Sequence, residues 1–141
     1  MRILGLDFGD KTIGVAMSDP FGWTAQGVEI IRRDNPQAMK PSLRRIAQLV
    51  EENQVEVIVL GYPKNLDNSE GDRCEKTKVF ATRLENRFPK VQVVLWDERF
   101  STIAAERSMR EGGLSHDRRK EMIDMQAAVH ILQGYLDSLK Q

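Results

Sequence analysis

The chain has 141 residues, which is enough for one domain with a real core but not for two lobes. Its 21 Lys and Arg residues balance 21 Asp and Glu residues, so any nucleic-acid binding must rest on local basic patches. The single cysteine, Cys74, excludes an intramolecular disulfide and fits a reducing cytosol. No signal peptide is legible and no apolar run is long enough to cross a bilayer, which predicts a cytoplasmic protein without a membrane partner.

The predicted elements begin with three antiparallel strands. Arg2 to Phe8 and Lys11 to Ser18 are joined through the turn formers Gly9 and Asp10, which favours a hairpin. Thr24 to Arg32 continues the meander as a third strand. One face of the second strand carries only small residues, so we expect another element to lie close against it; these residues are Thr12, Gly14, Ala16 and Ser18.

Helical spacing follows the meander. An apolar stripe from Leu43 to Val50 predicts a helix that ends near Asn53, and Val55 to Leu60 predicts a buried strand closed by Gly61. A strand reached through a crossover helix is parallel to an earlier strand, and its crossover is right-handed.

The second half of the chain predicts three helices and one strand. The first helix carries apolar residues four apart and is followed by a strand from Val91 to Trp96; these residues are Phe80, Leu84 and Phe88. Ser101 can cap a short helix that ends at Gly112-Gly113. A long helix then begins near Arg118 or Arg119 and runs toward Leu139. The order predicts one α/β domain over residues 1–141, with three antiparallel and two parallel strands flanked by helices.

Three acidic positions are unusual for their surroundings. Asp7 interrupts the first apolar run, and Asp97-Glu98 ends the fifth strand, so both lie at strand ends where sheets of this kind bind ligands. Asp124 shares a helix face with residues predicted to be buried, namely Ala127, Ala128, Ile131, Leu132 and Tyr135. If the first and fifth strands run parallel near the sheet centre, the acids can meet and hold Mg²⁺ for phosphodiester hydrolysis.

Each acid also has a structural interpretation. Asp7 can accept amide hydrogen bonds in the turn near Gly9, and Asp97-Glu98 can be ordinary loop charges. Asp124 can cap the last helix if that helix starts later than predicted. Because these unusual acids occur together in one chain, a shared functional site explains them better than separate structural roles.

Four segments carry a resemblance to a known family: GLDFGDKTIGVAMSD at 5–19, GYPKNLDNSEGDR at 61–73, DERFST at 97–102 and IDMQAAVHILQGYLD at 123–137. The chain resembles the YqgF/RuvX family of pre-16S rRNA nucleases and Holliday-junction-resolvase-like proteins, in the RNase H superfamily. The family often has a small residue where this chain has Met125.

The resemblance implies an RNase H-like fold and a nuclease that uses Mg²⁺ or Mn²⁺ and an activated water. It implies that the catalytic and metal-binding residues are Asp7, Glu98 and Asp124. It further implies processing of the 5′ end of pre-16S rRNA, with structured RNA and ribosomal subunit precursors as partners. A Holliday junction resolvase acting on branched DNA and a non-catalytic nucleic-acid-binding module remain open alternatives. An actin-like phosphotransferase also begins with strand, D-x-G, strand, but it needs two lobes.

Several polar residues near these acids are candidates for substrate contact or proton transfer. The substrate-binding candidates are Arg99, Lys64, Asn65, Arg118 and Arg119. The sequence leaves the roles of Asp97, Glu121 and His116 undecided, and it favours a solvated loop or an exposed first helical turn over a direct role for each one taken alone.

Overall fold

The computed structural model describes residues 1–62, 72–97 and 116–140, without the side chains of residues 72–73 and 116–124. The strands are β1 (Arg2–Phe8), β2 (Thr12–Ser18), β3 (Ala25–Arg32), β4 (Val55–Tyr62) and β5 (Gln92–Asp97). The described helices are α1 (Lys40–Asn53), α2 (Asp72–Arg87) and α3 (His116–Ser138). The helix predicted after Ser101 lies outside the described residues. None of the described helices combines the length and hydropathy needed to span a bilayer.

The five strands form one mixed sheet in the order β3-β2-β1-β4-β5. β1 pairs antiparallel with β2, β2 pairs antiparallel with β3, and β4 is parallel to both β1 and β5. This confirms the predicted three antiparallel and two parallel strands. The expectation that the first and fifth strands both lie near the centre is wrong for β5, which is an edge strand. The physical reason is burial: β4 is almost entirely buried and takes the inner position, whereas β5 is half-exposed.

The helices cover the two faces of the sheet separately. On one face, α1 and α2 pack on a core that includes Leu6, Phe8 and Leu60. On the other face, α3 packs on Ile3 and Ala16. Ala16 belongs to the small face of β2, so the predicted close approach of another element is confirmed, and that element is the last helix.

Several strand ends differ from the prediction by one residue, and two boundary differences bear on the candidate site. β4 continues through Gly61 to Tyr62, because both residues pair with β5 and the ladder compensates for the weak strand propensity of glycine. α3 begins at His116, so His116 is a helix residue and not a loop residue. Asp124 therefore lies in the third turn of α3 and cannot be its N-cap, which removes the capping interpretation of this acid.

The buried stripe of α3 is shifted slightly from the prediction. Tyr135 is only half-buried, and its ring packs edge-on against Trp96 with the ring centroids 5.8 Å apart. Leu136 is the fully buried residue at this level of the helix. Tyr135 is half-buried because it packs on Trp96 of the half-exposed edge strand β5.

The β2–β3 turn is organised by one carboxylate. Asp19 accepts hydrogen bonds from the backbone N–H groups of Phe21 (2.8 Å), Trp23 (3.2 Å) and Thr24 (2.8 Å), and from the Thr24 hydroxyl (2.7 Å). These bonds, that of the Thr24 side chain foremost, lower the pKa of Asp19 below its ordinary value. The turn is therefore an Asx turn that depends on the charged form of Asp19.

The stability provided by Asp19 is expected to depend on pH. Because the folded-state pKa is lowered, this stabilisation is complete above the unfolded pKa of about 3.9 and is lost as the pH falls below it. Asp19→Asn is expected to melt below the wild type at neutral pH, and the difference in melting temperature is expected to shrink under acidic conditions. Thermal melts of both proteins at neutral pH and near pH ~3 measure this. An equal difference at the two pH values would contradict it.

Candidate active site

Asp7 lies next to the end of the central strand and is 9% exposed. Side chains alternate along a strand, so Asp7 shares the sheet face of Ile3 and Gly5, which is the face that α3 covers. A carboxylate in such a place needs compensation by a cation or by hydrogen bonds. The fold therefore holds a nearly buried acid at a fixed position beneath a helix.

Gly5 brings β1 and α3 into direct contact. A Cβ atom built on Gly5 would lie 2.7 Å from Cβ of Leu132 and 3.2 Å from the carbonyl oxygen of Ala128. At the other end of β1, Ile3 and Leu136 line the same cavity. The residue numbers of α3 therefore decrease as those of β1 increase, and the two elements run antiparallel.

This antiparallel packing directs the part of α3 that carries Asp124 toward the end of β1 that carries Asp7. Two residues of a strand span about 6.6 Å, and four residues of a helix span about 6 Å. Asp7 is two residues beyond Gly5, and Asp124 is four residues before Ala128. Asp124 thus lies on the element that faces β1, in the direction of Asp7, although the side chain of Asp124 is outside the described residues.

Met125, the residue that departs from the family pattern, is accommodated by a glycine. A Cβ atom built on Gly27 in β3 would lie 2.9 Å from Cγ and 3.0 Å from Sδ of Met125. The long side chain therefore occupies the space that a side chain on β3 would otherwise fill. The helix that carries Asp124 is therefore in contact with β3 at Met125.

The carboxyl ends of β1, β4 and β5 meet at one edge of the sheet. Leu6 pairs with Leu60, and Tyr62 pairs with Asp97. Asp97 is the exposed last residue of β5, and Glu98 follows it directly. Glu98 itself lies outside the described residues, so its predicted meeting with Asp7 stays a prediction.

The contacts of the other predicted site residues lie outside the described part of the chain. Lys64 and Asn65 follow β4, and Arg99 follows β5, all outside the described residues. Residues 116–124 form the first turns of α3 without described side chains; they include His116, Arg118, Arg119 and Glu121. Among the side chains that the structure does describe, no three His, Cys, Asp or Glu residues come together as metal ligands. The roles of these residues remain predictions.

Arg33 is a buried residue of the site region that the sequence did not indicate. Its Nη1 donates a hydrogen bond to the Gly9 carbonyl, and its Nη2 donates to the Pro36 carbonyl at 2.7 Å. The guanidinium lies 4.5 Å above the Phe8 ring, whose other neighbour is Phe80 at a centroid distance of 4.2 Å. Arg33 therefore holds the turn that directly follows Asp7.

The turn that follows Asp7 is surrounded by charged groups of both signs. Burial lowers the pKa of the Arg33 guanidinium, and the nearby Asp10 carboxylate partly opposes this effect. Asp10 also forms an exposed ion pair with Lys76, with Nζ 3.2 Å from Oδ1. The turn is thus attached to the end of β3 by Arg33 and to α2 by Lys76. Only the pairing of β2 with β3 brings Arg33 here, which explains why sequence spacing gave no signal.

We expect Arg33→Lys to lower the free energy of unfolding by about 1–3 kcal/mol, because a lysine cannot reproduce the two-pronged donation to the Gly9 and Pro36 carbonyls. Arg32→Lys is the matched control, since Arg32 is adjacent and exposed. The control is expected to change stability by less than about 0.5 kcal/mol. Urea denaturation measures the unfolding free energy of both variants. Equal losses of stability in the two variants would show that Arg33 does not stabilise the turn.

Two solved structures share this fold. Fowlpox virus resolvase with substrate Holliday junction DNA matches with a TM-score of 0.62 and 16% identity over 100% of both chains. The T. thermophilus RuvC complex with a Holliday junction substrate matches with a TM-score of 0.58 and 13% identity, over 99% of this chain and 96% of that one. At such low identities the likeness concerns the fold alone. It confirms the predicted RNase H-like architecture, and this is the fold class to which the chain belongs.

The sequence comparisons identify the family within this class. The family model described as "RuvX: Holliday junction resolvase" matches residues 1–138. A relative from Agathobacter rectalis is 56% identical over 139 residues, which is 99% of this chain and 96% of the relative. A relative from Bacillus licheniformis is 53% identical over 99% of both chains. Both carry the name "Putative pre-16S rRNA nuclease". The chain belongs to the RuvX family, which confirms the resemblance drawn from its motifs.

Proposed function

We propose that this protein is a metal-dependent nuclease that hydrolyses phosphodiester bonds of structured RNA during processing of the 5′ end of pre-16S rRNA in the cytoplasm. The observation that carries the proposal is the position of Asp7, nearly buried at the end of the central strand beneath the helix that bears Asp124. Membership of the RuvX family and the names of relatives at 56% and 53% identity support the same function. Ribosomal subunit precursors are the partners that this function requires.

The proposed metal-binding residues are Asp7, Glu98 and Asp124. Carboxylate oxygens are the ligands that Mg²⁺ and Mn²⁺ take in proteins, so the donor chemistry fits. The low exposure of Asp7 fits as well, because a nearly buried carboxylate is stabilised by an adjacent cation. When bound, the divalent ion neutralises charge on the phosphate and lowers the pKa of water for nucleophilic attack.

In this proposal the residues of the protein fix the position of Asp7 and supply charged groups that bind the substrate. Asp7 is carried by the central strand, and the turn after it is fixed by Arg33 and by the pair of Asp10 with Lys76. The proposed substrate contacts come from the three segments that begin or end at this edge of the sheet. Cationic and amide side chains there would hold phosphates in register for hydrolysis; the residues are Lys64, Asn65, Arg99, Arg118 and Arg119.

A Holliday junction resolvase is the second candidate, and the description of the matching family model favours it. A resolvase cuts two symmetric strands and therefore works as a twofold-symmetric dimer. RNA is favoured over branched DNA here, because full-length relatives at about half identity are named for pre-16S rRNA. A non-catalytic module is disfavoured because acids are present at all three of the family's acidic positions.

A cleavage assay with two substrates tests the proposal. The protein is incubated with a 5′-extended pre-16S rRNA fragment or with a four-way DNA junction, in Mg²⁺, Mn²⁺ or EDTA. We expect metal-dependent cleavage of the RNA and an intact junction. Paired symmetric cuts in the junction would establish the resolvase instead. Binding of either substrate without cleavage in any metal would establish the non-catalytic module.

A further inference from the structure

A groove between α1 and α2 is lined mainly by cations. It has a volume of about 600 Å³ and lies on the sheet face opposite α3. None of the described residues that line it is acidic, although the chain as a whole has equal numbers of acidic and basic residues. The lining residues are Lys40, Leu43, Arg44, Arg83, Asn86 and Arg87.

The groove cations differ from neighbouring cations in how they are compensated. Arg45 on α1 pairs with Glu29 at 2.6 Å, and Lys78 on α2 lies 3.9 Å from Glu75. By contrast, Arg44 and Arg83 face the groove without an ion pair to any residue in the described part of the chain. Four cations in one groove repel one another, and a polyanion on this surface would relieve that repulsion.

α2 runs from the turn that follows Asp7 to the groove, because Lys76 pairs with Asp10 of that turn and Arg83 lines the groove. The same face of α2 carries Lys76, Val79, Arg83 and Arg87 at helical spacing. Lys76 and Val79 line a smaller cleft that reaches Asp10 and Phe8. From Lys76 to Arg87 the helix spans about 16 Å, so the cations extend away from the candidate active site along one line.

We propose that the groove between α1 and α2 binds the phosphate backbone of the RNA substrate at a distance from the cleaved bond. The inference rests on the proposed function, because it assigns a second contact region to the same substrate. An acidic protein would also be attracted to cations. RNA is favoured because the line of cations leads from the edge of the sheet where cleavage is proposed.

The test measures RNA binding as a function of salt in the Asp7→Asn background, so that no cleavage occurs. The probe is a fluorescently labelled, 5′-extended pre-16S rRNA fragment, and the variant is Arg83→Gln/Arg87→Gln. Each phosphate contact adds about 0.7–0.9 to the slope of log K against log salt, so losing two contacts is expected to flatten the slope by about 1.4–1.8. Neither side chain is buried, so the variant is expected to fold.

The matched control is Lys90→Gln/Lys140→Gln, which removes the same charge from exposed positions outside the groove. The control is expected to keep the slope of the Asp7→Asn protein. If the groove variant and the control have the same slope, the groove does not bind RNA. That outcome would leave the proposed function intact, because cleavage by the protein with Asp7 present is measured separately.

Discussion

Asp7→Asn is expected to reduce phosphodiester cleavage by about a thousandfold or more, equivalent to at least about 4 kcal/mol of transition-state stabilisation, because Asn lacks the charge needed to hold a hard divalent ion. The fold is expected to survive, because Asn has nearly the same shape and Asp7 lies at the end of its strand. Initial cleavage rates on the pre-16S rRNA fragment and circular dichroism spectra measure the two effects.

Asp10→Asn is the matched control for Asp7→Asn. Asp10 lies in the same turn, but it is exposed and pairs with Lys76 at the surface, where an ion pair is worth about 0–1 kcal/mol. Its substitution is expected to leave the cleavage rate within a few-fold of the wild type. If Asp7→Asn instead retains cleavage and loses about 0.5–2 kcal/mol of stability, Asp7 is a turn residue that accepts amide hydrogen bonds.

Gly5→Ala is expected to lower the free energy of unfolding by about 1–3 kcal/mol and to reduce cleavage at the same time. The new methyl group would meet Cβ of Leu132 at 2.7 Å and the carbonyl oxygen of Ala128 at 3.2 Å. Neither atom can rotate away, so α3 must shift from β1. The shift would separate Asp124 from Asp7, which links the loss of stability to the loss of activity.

Gly27→Ala provides the comparison, because its new methyl group would meet only the flexible end of Met125. That side chain can change rotamer, and alanine reduces the entropy of the unfolded chain by an amount worth about 0.4–1 kcal/mol. Gly27→Ala is therefore expected to unfold within about 1 kcal/mol of the wild type. Urea denaturation of both variants is the measurement. Equal unfolding free energies would show that contact at Gly5 does not set the distance between β1 and α3.

Local patterning in the sequence was sufficient to predict the central part of the fold. The run from Arg2 to Phe8 forms β1 with the predicted bounds, and the small face of β2 correctly indicated a close neighbour. These features depend on residues adjacent in the chain, where alternation has a direct physical meaning. The edge position of β5 was not predicted, because the order of parallel strands depends on competition for burial among distant segments.

In the candidate site as well, the residues with a local sequence signal were predicted, and those whose contacts form between distant segments were not. Asp7 is visible in the sequence because a charge interrupts an apolar run, and Asp124 is visible because it shares the face of Ala127 and Ala128. Arg33 has no such local signal, because its contacts with Gly9 and Phe8 exist only after β2 and β3 pair. Likewise, a glycine at position 5 does not show by itself that a helix backbone lies above it.

Melting temperature in the presence and absence of Mn²⁺ tests most directly whether the acids form a metal site. Wild type, Asp7→Asn and Asp124→Asn are melted in EDTA and in saturating Mn²⁺. A ligand that binds only the folded state at a hundred times its dissociation constant stabilises it by about 2.7 kcal/mol. We expect Mn²⁺ to raise the melting temperature of the wild type and to have much less effect on either variant. The same Mn²⁺-induced rise in all three proteins would contradict a metal site formed by Asp7 and Asp124.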